Sequence, residues 1–176
     1  MRALVVGGDS KIGQVLCGRL NARGHEIIIT TRRVEKARPV EGWVYLDMLD
    51  PRLPAEVADN PGEFVFYIMA AITGVVPAET HPDAWRINAE APVALALQAK
   101  ARGWHVVFMS SGTVEKAPHS ASAMQKRYAE LVVHMVGGCV VRPLPFVQPE
   151  KYAEIADLLV GVGEQRRTGV VRWGAE

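Results

Sequence analysis

The passage from Arg2 to Arg33, RALVVGGDSKIGQVLCGRLNARGHEIIITTRR, restricts the fold of this chain more than any other. Ala3 to Val6 is an apolar run too short for a packed helix, and it reads as a buried parallel strand. Gly7, Gly8, Asp9 and Ser10 turn the chain, and Ile12 to Ala22 carries helical periodicity, with Ile12, Val15, Leu16 and Leu20 on one side. Gly24 stops that helix just past its end, and Glu26 to Thr31, rich in β-branched residues, returns as a second strand. Strand, glycine turn, helix and strand within about thirty residues form the βαβ unit that can hold a dinucleotide.

A helix N-terminus offers unpaired N–H groups and the positive end of a dipole, so a pyrophosphate docks there without a dedicated cation. Glycines serve where the turn needs a positive φ and where backbone must approach phosphate closely. Gly7, Gly8, Asp9, Ser10, Lys11, Ile12 and Gly13 are therefore the candidate cradle, the alternative being an ordinary tight turn. At the tip of the second strand, Thr30-Thr31-Arg32-Arg33 offers no acid to hold a ribose 2′-hydroxyl, which NAD sites commonly provide. Thr31 with the Arg32 and Arg33 guanidinium groups suits a 2′-phosphate instead, so NADP fits better than NAD. The other reading of that pair is two solvated cations on a loop.

Farther along, Val44 to Leu46 reads as a third strand, followed by Asp47 and Met48. The Asp47 carboxylate could accept from an adenine amino group or cap the next turn. Arg52 to Ala58 reads as a short helix, and wholly apolar Phe64 to Met69 as a strand covered on both faces. Ala70 and Ala71 after it are small enough for a ligand to lie against, or are small core residues. Thr73 to Pro82 reads as a surface loop and Asp83 to Arg102 as a long helix that Pro92 should bend. Val106 to Met109 and Val140 to Pro143 are further strands, with a helix over Ser120 to Val136 between them. Tyr152 to Val160 is a helix and Gly169 to Trp173 a closing strand, with Tyr152 and Trp173 expected to pack. The whole is expected to be one α/β domain over 1–176, a doubly wound parallel Rossmann-like sheet of about seven strands.

Composition narrows the partners. With 20 basic and 19 acidic residues the net charge is +1, and no basic block offers a nucleic-acid surface. Cys17 and Cys139 read as buried thiols of a cytoplasmic protein. The start lacks the pattern of a signal peptide, and no run of apolar residues is long enough for a membrane span. The five histidines lack the close pairings of zinc sites, so no metal is expected; His119 is the one placed to face the cofactor edge. Val93, Leu95 and Leu97 lie on different sides of their helix, and a homodimer through the 83–102 and 120–136 helices is expected.

Taken together, the motifs resemble the short-chain dehydrogenase/reductase superfamily, in its extended epimerase/dehydratase branch. Gly7-Gly8-Asp9-Ser10-Lys11-Ile12-Gly13 resembles the GxxGxxG fingerprint, Arg23-Gly24-His25 the xGH before the second strand, and Phe66 to Ala71 the VxHLAA strand end. Asn88 with Ala89 to Leu95 resembles NxxGTxxLL, and Phe108 to Val114 resembles xxSSxxVYG. Lys126 to Glu130 resembles SKxxAE, and Val141-Arg142-Pro143 the xRP motif. The resemblance implies that Ser111 orients a small carbonyl or hydroxyl substrate and that Lys126 holds the nicotinamide ribose and lowers a tyrosine pKa.

Three departures qualify it. Ser10 replaces the middle glycine of the fingerprint. Ser122 stands four residues before Lys126, where the family tyrosine belongs, and Tyr128 lies on another helix face. Loss of such a general acid costs about 10²–10⁴ in rate. No separate substrate domain follows Pro143, since Tyr152 already begins the next helix. Two expectations follow: an NADP(H)-binding module, redox-responsive or auxiliary, with impaired or no conventional catalysis; or an NADP-dependent oxidoreductase or sugar-nucleotide epimerase/dehydratase-like enzyme. The second would use Ser111 and Lys126 with a proton donor from elsewhere (His119, water or substrate).

Overall fold

The computed structural model describes residues 1–38, 41–60, 62–144 and 147–174. The short apolar runs form β1 (Arg2–Val6), β2 (Glu26–Thr31), β3 (Trp43–Tyr45), β4 (Phe64–Ile68), β5 (His105–Met109), β6 (Cys139–Pro143) and β7 (Gly169–Trp173). All pair in parallel in one sheet, in the order β3-β2-β1-β4-β5-β6-β7. Val6 at the end of β1 sits opposite Thr30 on one side and Ile68 on the other. Strand order reverses at β1, and in open α/β sheets the crevice for a ligand opens at the carboxyl ends of strands at such a point.

The connecting segments supply α1 (Lys11–Ala22), α2 (Ala55–Ala58), α3 (Val75–Thr80), α4 (Ala91–Ala101), α5 (Thr113–Lys116), α6 (Ala121–Met135) and α7 (Tyr152–Glu164). Alternate residues of each strand bury on opposite faces. Val5, Val65, Val107 and Val141 pack with Leu16 and Leu20 of α1 and Ile155 and Leu159 of α7. Leu4, Phe66, Phe108 and Val140 pack with Leu95 and Ala99 of α4 and Ala129 and Val133 of α6. Both faces being covered explains why the strands read as continuous apolar runs. Serine hydroxyls start two of the sheet-covering helices, α1 and α6: Ser10 accepts from the Gly13 amide at 3.1 Å and Ser120 from Ala123 at 3.2 Å.

Four local features differ from expectation. The loop expected over Thr73 to Pro82 contains α3, because Pro77 falls in the first helical turn, where a missing N–H costs no hydrogen bond. A short α5 follows β5 where only a turn was expected. The helix expected over Asp83 to Arg102 is not uniform: Arg86–Glu90 is a π turn, closed by the Ala91 amide on the Arg86 carbonyl. Pro92 comes next and has no N–H with which to close an α turn on Asn88. Finally, α7 runs past Val160 to Glu164. Gly161 and Gly163 weaken helical propensity there, but packing demands Gly163, since a Cβ on it would collide with the Tyr67 hydroxyl.

That hydroxyl is buried without a hydrogen-bond partner among the described residues. Burial, reinforced by the Glu164 carboxylate, holds the phenol pKa above its ordinary value. Gly163→Ala is expected to cost about 1–3 kcal/mol as overpacking. Tyr67→Phe should be neutral or stabilising, because it removes an unsatisfied buried group, and it should restore part of the loss in the double variant, the Tyr67 ring carbon and Val65 still crowding the new Cβ. Urea unfolding of the four proteins measures this; additive effects in the double variant would refute the collision.

Candidate functional site

The site begins at the turn from β1 into α1. Gly7 has φ +78°, and a Cβ there would stand 2.8 Å from the Ala70 Cα at the end of β4. A Cβ on Gly13 would stand 2.8 Å from the Gly8 Cα. Both glycines are thus demanded by the protein's own close packing, whether or not a ligand is near. The Ser10 amide donates to the Gly7 carbonyl at 3.0 Å, and Ser10 Oγ caps Gly13, leaving the hydroxyl proton free. Lys11 and Ile12, in the first helical turn, retain N–H groups with no intrahelical acceptor.

These residues open onto a cleft of about 630 Å³, a size typical of sites of roughly 300–1,000 Å³ that hold small molecules and cofactors. The structure brings together along it Gly7, Asp9, Ser10, Lys11 and Ile12 from the turn and Thr31, Arg32 and Arg33 from the β2 tip. Asp47 and Met48 after β3 and Ala70 and Ala71 after β4 complete the expected set, with Gly8 and Gly13 in the turn behind. Asp47 combines its two readings: it lines the cleft, and its Oδ1 accepts from the Leu49 amide at 2.9 Å. Thr31 Oγ1 donates to Asp9 Oδ2 at 3.0 Å and accepts from the Arg33 amide at 3.1 Å. Among the described residues, the side chains of Lys11, Arg32 and Arg33 form no ion pair, although each lines the cleft.

Ser111, Ser122 and Lys126 do not line this cleft, although Ser111 lies two residues after a cleft residue, Met109, and Lys126 is hydrogen-bonded to it. The Met109 carbonyl accepts from Lys126 Nζ at 3.0 Å. The amine lies 4.7 Å from the centre of the Phe108 ring and is only 7% exposed as a residue. Burial pulls its pKa down to about 8, with the Glu130 carboxylate opposing. Ser111 Oγ accepts from the Thr113 amide at 3.2 Å and from Thr113 Oγ1 at 2.9 Å. Ser122 is half-buried in the first turn of α6. His119 is exposed and lines neither this cleft nor a smaller one of about 360 Å³. That second cleft, between Gly112 and the ends of β6 and β7, is lined by Trp173, which also packs against the core as expected.

Sequence reasoning missed three things. Tyr152, expected to pack, lines the main cleft from the first residue of α7. Glu130, 3% exposed, accepts from Ser110 Oγ and from Arg142 Nε (2.9 Å) and Nη2 (2.5 Å). Arg142 also reaches Glu115, which Arg172 contacts at 2.8 Å from its Nε. The signal was present, because a carboxylate and a guanidinium inside apolar runs have to find each other. Asn88 on the π turn accepts from the Ile72 amide at 2.8 Å and donates to the Ile72 carbonyl at 3.0 Å and to Gln125 at 2.8 Å. It thereby fastens the loop that forms one cleft wall.

The sequence profile of the NAD-dependent epimerase/dehydratase family matches residues 3–136. No curated protein matches the chain by sequence. Among solved structures, a hypothetical dTDP-4-dehydrorhamnose reductase from Sulfolobus tokodaii is similar, with TM-score 0.80 and 21% identity over 100% of this chain and 77% of that one. A Bacillus anthracis dTDP-4-dehydrorhamnose reductase in complex with NADP gives 0.73 and 18%, over 99% and 75%. The Bordetella bronchiseptica enzyme WbmG in complex with NAD gives 0.70 and 19%, over 98% and 72%. At these identities the likeness is one of fold.

The buried amine makes a titration prediction. Below about 8 both folded and unfolded chains hold the Lys126 proton, and the folded chain bears the desolvation cost. Between there and the ordinary 10.5 the unfolded chain binds a proton that the folded one has shed, so stability rises with pH through that window. Relative to Lys126→Met, the unmodified chain should therefore gain stability between those values. Parallel pH curves for the two proteins would contradict it.

Proposed function

We propose that this chain, which belongs to the NAD-dependent epimerase/dehydratase family, binds a pyridine dinucleotide along the β1–α1 cleft, and that NADP(H) is the better ligand. The observation that carries this is one cleft holding a helix N-terminus and three cations, Lys11, Arg32 and Arg33, that have no carboxylate partner among the described residues. Anionic groups at both places offset what the protein leaves uncompensated. In this reading the Lys11 and Ile12 amides with the Ser10 hydroxyl hold the diphosphate, Arg32 and Arg33 a 2′-phosphate, and Asp47 and Met48 the adenine. Ala70 and Ala71 admit the far half beside Met109. Bound there, the nicotinamide would supply hydride transfer. Solved neighbours of the same fold carry NADP or NAD, which supports a dinucleotide without choosing between them.

In the same reading, residues 1–176 act as one nucleotide-binding domain in the cytoplasm, a redox-responsive or auxiliary module whose conventional catalysis is impaired or absent. The aliphatic hydroxyl of Ser122 is too weak an acid to replace a phenol. A second reading has one specific support, the Tyr152 phenol in the cleft wall. An oxidoreductase or epimerase/dehydratase-like enzyme acting on a small carbonyl or hydroxyl compound would keep Ser111 and Lys126 and take its proton donor from α7. No helix among the described residues is long and apolar enough to cross a membrane.

Saturating NADPH should raise the melting temperature by about 5–10 °C and NADH by less, with the difference lost in Arg32→Ala/Arg33→Ala. An equal response to both would remove the role given to those arginines. NADPH should not be consumed with a panel of small aldehydes and ketones. Consumption that Tyr152→Phe abolishes would move the assignment to the second reading.

A homodimer is part of the proposal. Met124, Tyr128, Leu131 and Met135 are spaced along one face of α6 and all exposed, Met135 to 83%, and Tyr128 meets the Trp85 ring at 5.5 Å between centres. Sedimentation should give a dimer that Leu131→Glu/Met135→Glu converts to monomer; an unmodified chain that stays monomeric at high concentration would rule it out.

A further inference from the structure

The tip of β2 carries no acid in the sequence, but it has one in space. Thr31 ends β2 and is 1% exposed, and its hydroxyl donates to Asp9 Oδ2 at 3.0 Å. Asp9 belongs to the glycine turn, so a carboxylate from one element is fastened to the end of another. The same threonine oxygen accepts the Arg33 amide, which fixes Asp9, Thr31 and the start of the basic pair as one unit. Asp9 also lines the cleft beside Arg32 and Arg33, yet among the described residues it forms no ion pair with them or with Lys11. Its Oδ1 accepts no hydrogen bond among the described residues.

In dinucleotide-binding βαβ units, the adenosine ribose lies at this strand end, and the acid that meets its 2′-hydroxyl is normally the strand's own. We propose that Asp9 is the specificity-determining residue at the ribose end of the cleft. It accepts the 2′-hydroxyl of NAD(H) and opposes the 2′-phosphate that Arg32 and Arg33 attract. A carboxylate acceptor favours a neutral hydroxyl donor, whereas a phosphate beside it brings like charges together. Two guanidinium groups and one carboxylate then set the preference jointly. The chain keeps a moderate bias toward NADP(H), less than its basic pair alone would give. Thr31 is a positioning residue that holds the carboxylate in place.

This inference rests on the dinucleotide reading, and calorimetric titration with NADH and NADPH separates the two. Asp9→Asn keeps the size and an oxygen for Thr31 while removing the charge. It should raise the ratio of NADPH to NADH affinity about tenfold, through weaker NADH and tighter NADPH binding. The gain for NADPH should shrink as added salt screens the charge. Thr31→Val should move the ratio the same way but less, and Arg33→Ala the opposite way. If the unmodified chain binds both nucleotides and Asp9→Asn leaves their ratio unchanged, Asp9 only ties the turn to β2 and the inference is wrong. If the unmodified chain binds neither, the dinucleotide reading fails and this inference with it. Melting curves of the unliganded variants report whether each is folded.

Discussion

A side chain on Gly7 has no space to occupy, because the Ala70 backbone at the end of β4 already fills it. This contact between two central strands determines much of the molecule. It lets the turn after β1 lie close against the segment after β4, beside the amides that begin α1. Gly13 repeats the constraint one helical turn on, against the backbone of the turn itself. The residues that shape the site are therefore also residues that shape the core. Ser10, where the family fingerprint has a glycine, uses its hydroxyl to cap the helix, and that same oxygen is one of the atoms a Cβ on Gly13 would meet.

Charge is distributed unequally along the carboxyl edge of the sheet. Toward β6 and β7, Glu130, Arg142, Glu115 and Arg172 satisfy one another in a chain, with Glu130 almost wholly buried. Removing one partner of such a buried pair typically costs about 3–5 kcal/mol, because the other charge is stranded. Toward β2, Lys11, Arg32 and Arg33 are exposed and form no ion pair among the described residues. The first arrangement holds helices and strands together; the second leaves its cations facing the cleft. Lys126 belongs with the first, since its amine is bound to a strand carbonyl and an aromatic face.

Most of the architecture was legible because buried parallel strands and their helices carry strong local signals. Glu26 to Thr31 and Gly169 to Trp173 matched to the residue, and the candidate cradle converged on one cleft. What escaped was whatever depends on residues distant in sequence. The Asp9–Thr31 bond joins positions that periodicity treats separately, and Tyr152 reaches the cleft only through the packing of α7 against α1. The end of α7 was misplaced because glycine lowers helical propensity, while the reason for Gly163 lies in Tyr67, on β4. Pro92 did advertise a break, but not that the chain would answer with a wide turn before it.

That wide turn matters beyond its own segment. By closing one residue late, it aims the Asn88 carboxamide back at Ile72, where it grips both the amide and the carbonyl of a loop that no strand supports. Gln125 braces the same carboxamide from α6 and continues to the Ala78 carbonyl in α3. One flank of the crevice accordingly hangs from a single hinge pin anchored in two helices. A displacement of α6 would therefore pass through Gln125 and Asn88 to Ile72, in the wall of the cleft.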